Sequence, residues 1–418
     1  RLCEELSIPQ PPGGTAVDIA QARAICERVG FPVLVRPSYV LGGRAMQIIH
    51  DDAGLVSAME ELSGAGSLGR EGGLSAERPV LIDRFLASAI EVDVDAVRDR
   101  EGEVLIGGVM EHVEEAGVHS GDSACAIPPQ TLPDWVVEVI TAYTEAIAHR
   151  LDVCGLINVQ YAVVGTTVYV IEANPRASRT VPFVAKATGV SLAKVATRVM
   201  LGATLHELRG EGLLVAPGSG HVAVKEAVLP FNRFPEVDPA LGPEMRSTGE
   251  VMGIDRTFGQ AFFKAELAAG NGLSEAGTAF LSLNDHDKPA GIVVARHLRS
   301  LGMRVVATRG TAEHLSRYGV VVDQVLDKVQ DGVDGPTAVD LIAAGEISLV
   351  VNTPRGSAGR SDGEHIRKAA SLHRVSCFTT VSAALAAARG MEESLGQALE
   401  VLQRNERLGA GLPGPPPV

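Results

Sequence analysis

One stretch of the sequence, VYVIEANPRASRTVPF at residues 168–183, joins an apolar strand to a cluster of polar side chains. The cluster contains a carboxylate, an amide and two guanidinium groups, on Glu172, Asn174, Arg176 and Arg179. Residues two apart in a strand face the same side of the sheet, so Glu172 and Asn174 are predicted to point together. Pro175 is predicted to end the strand and turn the chain before the arginines.

The preceding strand is predicted to complete a metal site. It reads LINVQYAVV at 156–164 and returns through a tight turn at Gly165, which places Gln160 opposite Glu172 to within one residue. Gln160, Glu172 and Asn174 would then converge on one sheet face. A carboxylate with amide oxygens suits Mg²⁺ or Mn²⁺, whose remaining ligands would be water and phosphate oxygens.

The two arginines add the second half of a phosphate site. Arg176 and Arg179 lie three residues apart and can present two planar donors to an oxyanion. A metal ion beside arginine is the arrangement of phosphoryl transfer, in which positioning and charge neutralisation carry the catalysis. The alternative is a solvated strand end with an ordinary salt bridge.

Three further segments are candidates for nucleotide contacts. LVRPSYVLGGRAM at 34–46 places Arg36 at a strand end before a glycine hairpin that would close over a polyphosphate; the alternative is an ordinary turn, since neither GK[ST] nor GxGxxG is present. EAGVHSGDSA at 115–124 is a small-residue loop whose backbone N–H groups can line a phosphate; no acid–base role is assigned to its histidine. Glu91, on an alternating strand, would accept hydrogen bonds from ribose hydroxyls, or would be a surface carboxylate.

The elements around these segments indicate a multidomain protein of mixed α/β and α+β class. Apolar periodicity predicts helices at 18–30, 133–151, 190–202 and 257–269, and strands at 31–35, 79–86, 90–99, 104–113, 156–164, 167–174 and 221–229, with a hairpin at 39–49. From about residue 271, short strands alternate with helices, which predicts a parallel sheet. The proline-rich tail at 408–418 is predicted to be disordered.

Composition excludes several classes of function. The 418 residues carry a net charge of -14, which argues against a general nucleic-acid or anionic-membrane surface, and no run of about 18 apolar residues predicts a membrane span. The five cysteines form no CxxC, which favours reduced thiols in the cytoplasm. The chain begins at Arg1 without Met or a signal peptide, so a fragment of a longer protein is expected.

The order of these segments resembles the C-terminal half of the carbamoyl phosphate synthetase large subunit. The resemblance rests on the runs RPSYVLGGRAM, MEHVEEAGVHSGDSA, NVQYAVV, IEANPRASRTVPFVAKATGVSLAKVA, GPEMRSTGEVMGIDRTFGQAFFKAEL and ATRGTAEHL, and covers nearly the whole chain. It implies an N-terminally truncated ATP-grasp domain at 1–201, a connecting segment at 202–270, and a Rossmann-like, methylglyoxal-synthase-like allosteric domain at 271–407.

The resemblance assigns roles to the residues at matching positions. It implies that ATP, with Mg²⁺ or Mn²⁺, is held by the following residues: Arg36, Arg84, Leu86, Glu91, Gly117, Val118, His119, Ser120, Gln160 and Glu172. It assigns the metal to Gln160, Glu172 and Asn174, and the carbamate and transferring phosphoryl group to Arg176 and Arg179, with Glu172 also counted as catalytic. Arg84 stands where the family commonly has histidine.

Two effector sites are also implied. An ornithine-type amino acid would be bound by Glu114, Asp122, Glu226, Leu229 and Thr379. A nucleotide of the UMP or IMP type would be bound by Lys288, Thr308, Thr311, Lys328 and Asn352. Pro354 replaces a threonine typical of that site and so leaves the nucleotide preference open. The alternative is an α/β domain used only for packing.

The activity implied by the resemblance is phosphorylation of carbamate by ATP, for arginine and pyrimidine biosynthesis. The implied partners are a small glutaminase subunit and an N-terminal synthetase half, in a full-length enzyme that oligomerises. Without them, the fragment is expected to fold but to be a weak enzyme that cannot use glutamine. The alternatives are another ATP-grasp carboxylase or ligase, and a fragment that only binds effectors.

Overall fold

Three β-sheets organise the chain. The computed structural model describes residues 2–38, 42–63, 74–214, 220–234, 236–274, 276–326, 336–353 and 356–395. The sheets contain four, seven and five strands. The predicted disordered tail at 408–418, together with Lys328 and Pro354, lies outside the described residues. Within those ranges no helix combines the length and apolar character needed to cross a membrane.

The first sheet is antiparallel, with strand order β1-β4-β2-β3. Its elements are α1 (Leu2–Glu5), β1 (Gly13–Ala16), α2 (Ile19–Val29), β2 (Val33–Pro37), β3 (Gln47–Ile49), α3 (Asp52–Ser63) and β4 (Val80–Arg84). The helix predicted at 18–30 is confirmed: the Asp18 side chain accepts from the Gln21 amide at its start, and Gly30, with φ of 77°, ends it. The hairpin predicted at 39–49 has a different first arm: β2 pairs with β3, and residues 39–41 lie outside the described residues.

The second sheet is the centre of the molecule. All of its strand pairs are antiparallel, in the order β11-β10-β7-β6-β5-β8-β9. Its elements are β5 (Ile90–Arg98), β6 (Val104–Glu115), β7 (Cys125–Ile127), α4 (Asp134–Arg150), β8 (Gly155–Val164), β9 (Thr167–Asn174), α5 (Val181–Thr188), α6 (Leu192–Met200), α7 (Leu205–Gly210), β10 (Val222–Val228), a 3₁₀ turn (Phe231–Arg233), β11 (Gly249–Asp255) and α8 (Phe258–Ala269).

The segment 202–270 contributes two strands to this sheet, where the sequence predicted one. The missed strand, β11, has a weak apolar pattern because Gly249 and Gly253 interrupt it. Gly253 is required for packing: a Cβ there would collide with the Ala261 carbonyl of α8. The division of the chain at 201 and 270 stays a prediction.

The third sheet is parallel, as predicted, with order β14-β13-β12-β15-β16. Helices cover it, and we call this part the C-terminal unit. Its elements are β12 (Thr278–Ser282), α9 (Lys288–Ser300), β13 (Arg304–Thr308), α10 (Arg309–Arg317), β14 (Gln324–Leu326), α11 (Ala338–Ala343), β15 (Leu349–Asn352), α12 (Gly356–Leu372), β16 (Ser376–Phe378) and α13 (Val381–Ser394).

One hydrophobic core joins the central sheet to the C-terminal unit. Helix α8 lies between them, with Phe262 fully buried, and the same cluster contains Val224 of β10, Leu281 of β12 and Ala387 of α13. Burial of this apolar surface holds the two parts together by the hydrophobic effect. The central sheet and the C-terminal unit therefore share packing.

Candidate active site and effector pockets

The predicted metal ligands meet at the edge of the central sheet. The register pairs Gln160 with Glu172, as the sequence predicted to within one residue, and Asn158 with Asn174. The Asn174 Nδ2 donates to Glu172 Oε1 at 2.7 Å, and the Gln160 Nε2 donates to Ser120 Oγ at 3.1 Å. Because both amides use their nitrogens here, their oxygens are the atoms suited to a cation beside the carboxylate.

These residues fit a hard divalent cation by donor type. They supply one carboxylate and two amide oxygens at neighbouring positions, which is the donor set that Mg²⁺ accepts when water and phosphate complete the shell. Among the described residues, no group of three or more His, Cys, Asp or Glu side chains could hold a metal ion. Glu172 is therefore the carboxylate on which this candidate site depends.

Arg179 lies against the predicted nucleotide loop. Its guanidinium contacts the Met245 sulfur, and a Cβ built at Gly121 would lie 3.0 Å from Arg179 Nη1 and 3.2 Å from His119 Nδ1. Burial, with the positive charge of Arg179 adding to it, lowers the pKa of His119. A neutral imidazole can line an anion site without adding charge of its own.

Arg176 takes a different position. It is exposed, and its Nη1 donates to the Ala177 carbonyl oxygen at 3.0 Å. The two predicted arginines are thus both at the strand end, but Arg179 is the one that contacts the loop.

The predicted adenine and ribose contacts line one cavity of about 520 Å³ between the first and second sheets. Arg36, Arg84, Leu86, Glu91 and Gly117 all line this cavity. Ile171 also lines it, so Glu172 follows directly from its wall, just as Val118, His119 and Ser120 follow from Gly117. Gln160, Glu172 and Asn174 do not themselves line the cavity; they are joined to its wall through Ile171 and, by the hydrogen bond from Gln160 to Ser120, through the loop that follows Gly117.

Two of the side chains that line this cavity form contacts within the protein. Arg36 forms an ion pair with Asp83, and Arg84 Nη1 donates to the Val29 carbonyl oxygen at the end of α2, at 2.9 Å. The Arg84 guanidinium is therefore held at the end of α2. Glu91 accepts from the Gly117 amide at 3.1 Å and so fixes the start of the loop.

A buried polar network beneath this face was missed by the sequence reasoning. His112 Nε2 lies 3.0 Å from Asp93 Oδ2, and Asn158 Nδ2 donates to Asp95 Oδ1 at 3.0 Å. Ser178 and Thr180 donate to Asp95 at 2.7 and 2.6 Å. The alternation IEVDVDAV places Glu91, Asp93 and Asp95 on one face of β5, so the sequence did contain a signal for this acidic network.

The charges in this network are set by burial and partners. Burial opposes protonation of His112, but the hydrogen bond to Asp93 and the negative charges of Asp93 and of Glu91, whose Oε2 lies 3.6 Å from His112 Nδ1, outweigh it and raise the pKa of His112 to about 9. Burial raises the pKa of Asp95 to about 6, against the hydrogen bonds from Thr180 and Ser178. A buried His112–Asp93 ion pair therefore supports the strand that carries Glu91.

The five residues predicted to bind an amino-acid effector line a second cavity, of about 410 Å³. Glu114, Asp122, Glu226, Leu229 and Thr379 all line it, and so do Glu266 and Arg367, which the sequence reasoning missed. Asp122 accepts from the Arg246 and Ser247 amides at 2.7 and 2.9 Å. The cavity lies where the central sheet, α8 and the C-terminal unit meet.

Three glutamates make this cavity acidic: Glu226 and Glu266 are buried, and Glu114 is partly buried. Burial raises the pKa of Glu114 and of Glu266 to about 7. Burial, then the charges of Glu266 and Glu114, raises the pKa of Glu226 well above its ordinary value. No hydrogen-bond partner reaches Glu226 Oε2, although this atom is buried. An unpartnered buried carboxylate oxygen favours a cationic ligand.

The predicted nucleotide-effector residues are partly brought together. Thr308 Oγ1 donates to Thr311 Oγ1 at 3.1 Å at the start of α10, and a Cβ at Gly310 would lie 3.3 Å from Lys288 Nζ. Asn352 ends β15 at the same carboxyl edge of the sheet, as predicted, but its Oδ1 accepts from Arg367 Nη1 at 2.7 Å. Lys328 lies outside the described residues.

Comparison with solved structures defines the class of the first two sheets. The biotin carboxylase domain of Hydrogenobacter thermophilus 2-oxoglutarate carboxylase, solved in complex with MgADP, ADP and bicarbonate, aligns with a TM-score of 0.52 at 16% identity. The alignment covers 64% of this chain and 63% of that one. The expected ATP-grasp fold is confirmed.

Sequence comparison identifies the family. The family described as "Carbamoyl-phosphate synthase L chain, ATP binding domain" matches residues 1–208, and the "MGS-like domain" family matches residues 291–379. The "Carbamoyl phosphate synthase large chain, C-terminal section" of Methanopyrus kandleri is 51% identical over 397 residues, covering 94% of this chain and 71% of that protein. The chain belongs to the carbamoyl phosphate synthase large chain family.

The chain corresponds to about a third of most of the relatives that it matches. The carbamoyl phosphate synthase large chain of Mycobacterium bovis is 52% identical over 410 residues, which cover 94% of this chain and 36% of that protein. The large chain of Archaeoglobus fulgidus, 51% identical over 392 residues, is covered to 35%.

Proposed function

We propose that this chain phosphorylates carbamate with ATP to give carbamoyl phosphate and ADP, the second phosphorylation of carbamoyl phosphate synthesis. The observation that carries the proposal is the convergence of Gln160, Glu172 and Asn174 at a loop that Arg179 also approaches, next in sequence to residues that line a nucleotide-sized cavity. Relatives about half identical in sequence, named carbamoyl phosphate synthase, support carbamate as the acceptor.

In this proposal a carbamate oxygen attacks the γ-phosphorus of ATP. The new oxygen–phosphorus bond forms as the bond from the γ-phosphorus to the bridging oxygen breaks, and ADP leaves with the electron pair. Arg179 and Arg176 hold the carbamate and neutralise charge on the transferring group. Gln160, Glu172 and Asn174 would hold Mg²⁺ or Mn²⁺, which supplies charge neutralisation at the phosphates when bound.

The same proposal assigns two effectors and the protein's context. An ornithine-type amino acid would enter the 410 Å³ cavity, because two ammonium groups suit its glutamates. A nucleotide monophosphate of the UMP or IMP type would bind at Lys288, Thr308 and Thr311. The enzyme would work in the cytoplasm for arginine and pyrimidine synthesis, with a glutaminase subunit and an N-terminal synthetase half as partners.

The reaction run backwards tests the catalytic assignment. Glu172→Gln keeps the shape of the side chain but removes the charge from the triad, so ATP formation from ADP and carbamoyl phosphate should fall to background. Glu211→Gln, on an exposed ion pair with Arg198, is the matched control and should keep the parent rate. A parent rate in Glu172→Gln would overturn the metal assignment.

A further inference from the structure

A short segment between β10 and β11 contacts the candidate active site, the 410 Å³ cavity and the C-terminal unit. We call residues 238–247, DPALGPEMRS, the strap. Leu241 of the strap lines the 410 Å³ cavity, and its last two amides are held by Asp122 of the same cavity. The strap therefore borders the 410 Å³ cavity through Leu241 and through the contacts of its last residues with Asp122.

At one end, the strap is fixed to the C-terminal unit. Arg367 of α12 donates from Nε to Asp238 Oδ1 at 2.7 Å and from Nη2 to Asp238 Oδ2, which is a bidentate ion pair. The Arg367 side chain is fully buried, and that of Asp238 is 25% exposed. Burial opposes ionisation of Asp238, yet the hydrogen bonds from Arg367 and the Ala240 amide, together with the charges of Arg367 and Arg246, hold the pKa of Asp238 below its ordinary value.

The same guanidinium reaches the predicted nucleotide-effector site. Its Nη1 donates to Asn352 Oδ1, at the carboxyl end of β15. Arg367 also lines the amino-acid cavity. Any ligand that displaces Asn352, or enters beside Arg367, therefore acts on a group that also holds Asp238.

At its other end, the strap touches the parts of the ATP cleft that grip phosphate. The Gly242 carbonyl accepts from the His119 amide at 2.8 Å, and the Met245 amide donates to the Gly42 carbonyl at 3.1 Å. A Cβ at Gly43 would collide with the Pro243 carbonyl, so the glycine turn is seated directly on the strap. The Met245 sulfur contacts the Arg179 guanidinium.

The strap is also braced within itself. Asp238 Oδ1 accepts from the Ala240 amide at 3.0 Å, and Arg246 Nη1 donates to the Asp238 carbonyl at 2.8 Å. Direct hydrogen bonds therefore connect Asp238 to residues 240 and 246 of the strap.

We propose that Asp238 is a positioning residue: its ion pair with Arg367 anchors the strap, and the strap seats the glycine turn, the His119 loop and Arg179. The C-terminal unit thereby controls the geometry of the ATP cleft through one ion pair. Asp238 itself touches no substrate in this scheme. The catalytic consequence rests on the proposed function, whereas the anchoring of the strap does not.

Amide hydrogen exchange on the ligand-free 418-residue chain tests the anchoring. In Asp238→Asn, the amides of His119, Met245, Arg246 and Ser247 should exchange at least about tenfold faster, because the ion pair that anchors Asp238 to α12 is broken. Asp323→Asn breaks another Arg–Asp pair of the C-terminal unit, with Arg299, and should leave those four amides unchanged. Unchanged exchange in Asp238→Asn would overturn the proposal.

Kinetics of ATP formation from ADP and carbamoyl phosphate separate positioning from general support of the fold. Asp238→Asn should raise the KM for ADP by at least about fivefold, with a smaller change in kcat, and should remove the response of that KM to UMP. Asp238→Glu, which keeps the charge, should restore part of both. Accelerated exchange confined to residues around Arg367, with the KM and the UMP response intact, would show a local structural role and overturn the proposal.

The two arms also distinguish this inference from the proposed function. Absence of ATP formation by the parent chain would count against the proposed function, while the exchange arm would still decide on the strap. Where Asp238→Asn is too unstable for local exchange to be read, Asp238→Glu decides: faster exchange at the four amides supports the anchoring, and parent rates overturn it.

Discussion

At the scale of single residues, the two arginines after β9 differ in their surroundings. Arg179 is held between Gly121 and Met245, whereas Arg176 is exposed beside Ala177. Both arginines are exposed, and the side chain of Arg176 donates to a neighbouring carbonyl, so Arg176 can turn toward an anionic substrate. Its role therefore depends on what binds rather than on what it already contacts.

Replacement of Arg176 tests that role. Arg176→Ala should reduce ATP formation from ADP and carbamoyl phosphate at least about 100-fold, because a transition-state donor is lost. Arg198→Ala, which removes an exposed arginine of α6, is the control and should stay within about twofold. A loss below about tenfold for Arg176→Ala would mean that its role is structural.

Glu226 shows how a buried carboxyl that lines a cavity can cost stability. Its folded-state pKa is raised, so the carboxyl is protonated without penalty at low pH and becomes costly to ionise as pH rises above its unfolded value. Glu226→Gln mimics the protonated form. It should raise the free energy of unfolding on the order of 1–3 kcal/mol at pH 8 and change little at pH 4, measured by urea denaturation.

The sign of the change in unfolding free energy at pH 8 decides whether the Glu226 carboxylate is costly to bury. Destabilisation by Glu226→Gln at pH 8 would mean that the carboxylate is ionised and well satisfied in the folded chain, contrary to its unpartnered Oε2. Glu138→Gln, at an exposed position of α4, gives the background of a Glu-to-Gln change.

At the scale of elements, the turn from β13 to α10 presents Thr308 and Thr311 at a helix start, with Lys288 of α9 beside Gly310. Backbone amides and a lysine at one place suit a phosphate group. Lys288→Ala should weaken UMP binding to the chain at least about tenfold by calorimetry. Arg304→Ala, at the opposite end of β13, should bind UMP as the parent does, and equal affinities for all three chains would contradict the assignment.

The elements that the sequence predicted well are those whose pattern is local. Strand β9 was placed at its observed residues, and the short turn at Gly165 predicted the pairing of Gln160 with Glu172 to within one residue; a β-bulge between Gln160 and Tyr161 supplies the remaining shift. Alternating polarity and a tight turn fix a register without distant contacts.

The elements and residues that were missed depend on tertiary contacts. Strand β7 has three residues and exists because it pairs with β6 and β10. The buried charges of Asp93, His112 and Glu266 are tolerable only beside partners that come from other elements. Neither kind of feature leaves a periodic signal in the sequence.

At the scale of the whole molecule, the shared core predicts one cooperative transition. Phe262 of α8 is fully buried between β10 and the C-terminal unit, so Phe262→Ala should cost about 3–5 kcal/mol of stability. Thermal unfolding should remain a single transition, with the fluorescence of Trp135 and the circular dichroism changing together. Two separated transitions in the parent chain would contradict a shared core.

Leu267→Ala, on the partly exposed side of the same helix, is the matched control. It should cost less than about 1 kcal/mol, since little apolar surface is lost from the core.

The core shared by the central sheet and the C-terminal unit has a consequence for how such a chain can evolve. Because α8 faces the central sheet on one side and α13 on the other, the C-terminal unit is not a module that recombination could exchange intact. A transplanted unit would arrive with a mismatched face for α8. Changes in regulation during the descent of such a chain must therefore accumulate by substitution in place. Some damaging substitutions will map to this helix contact, far from any ligand, yet be scored as losses of catalysis.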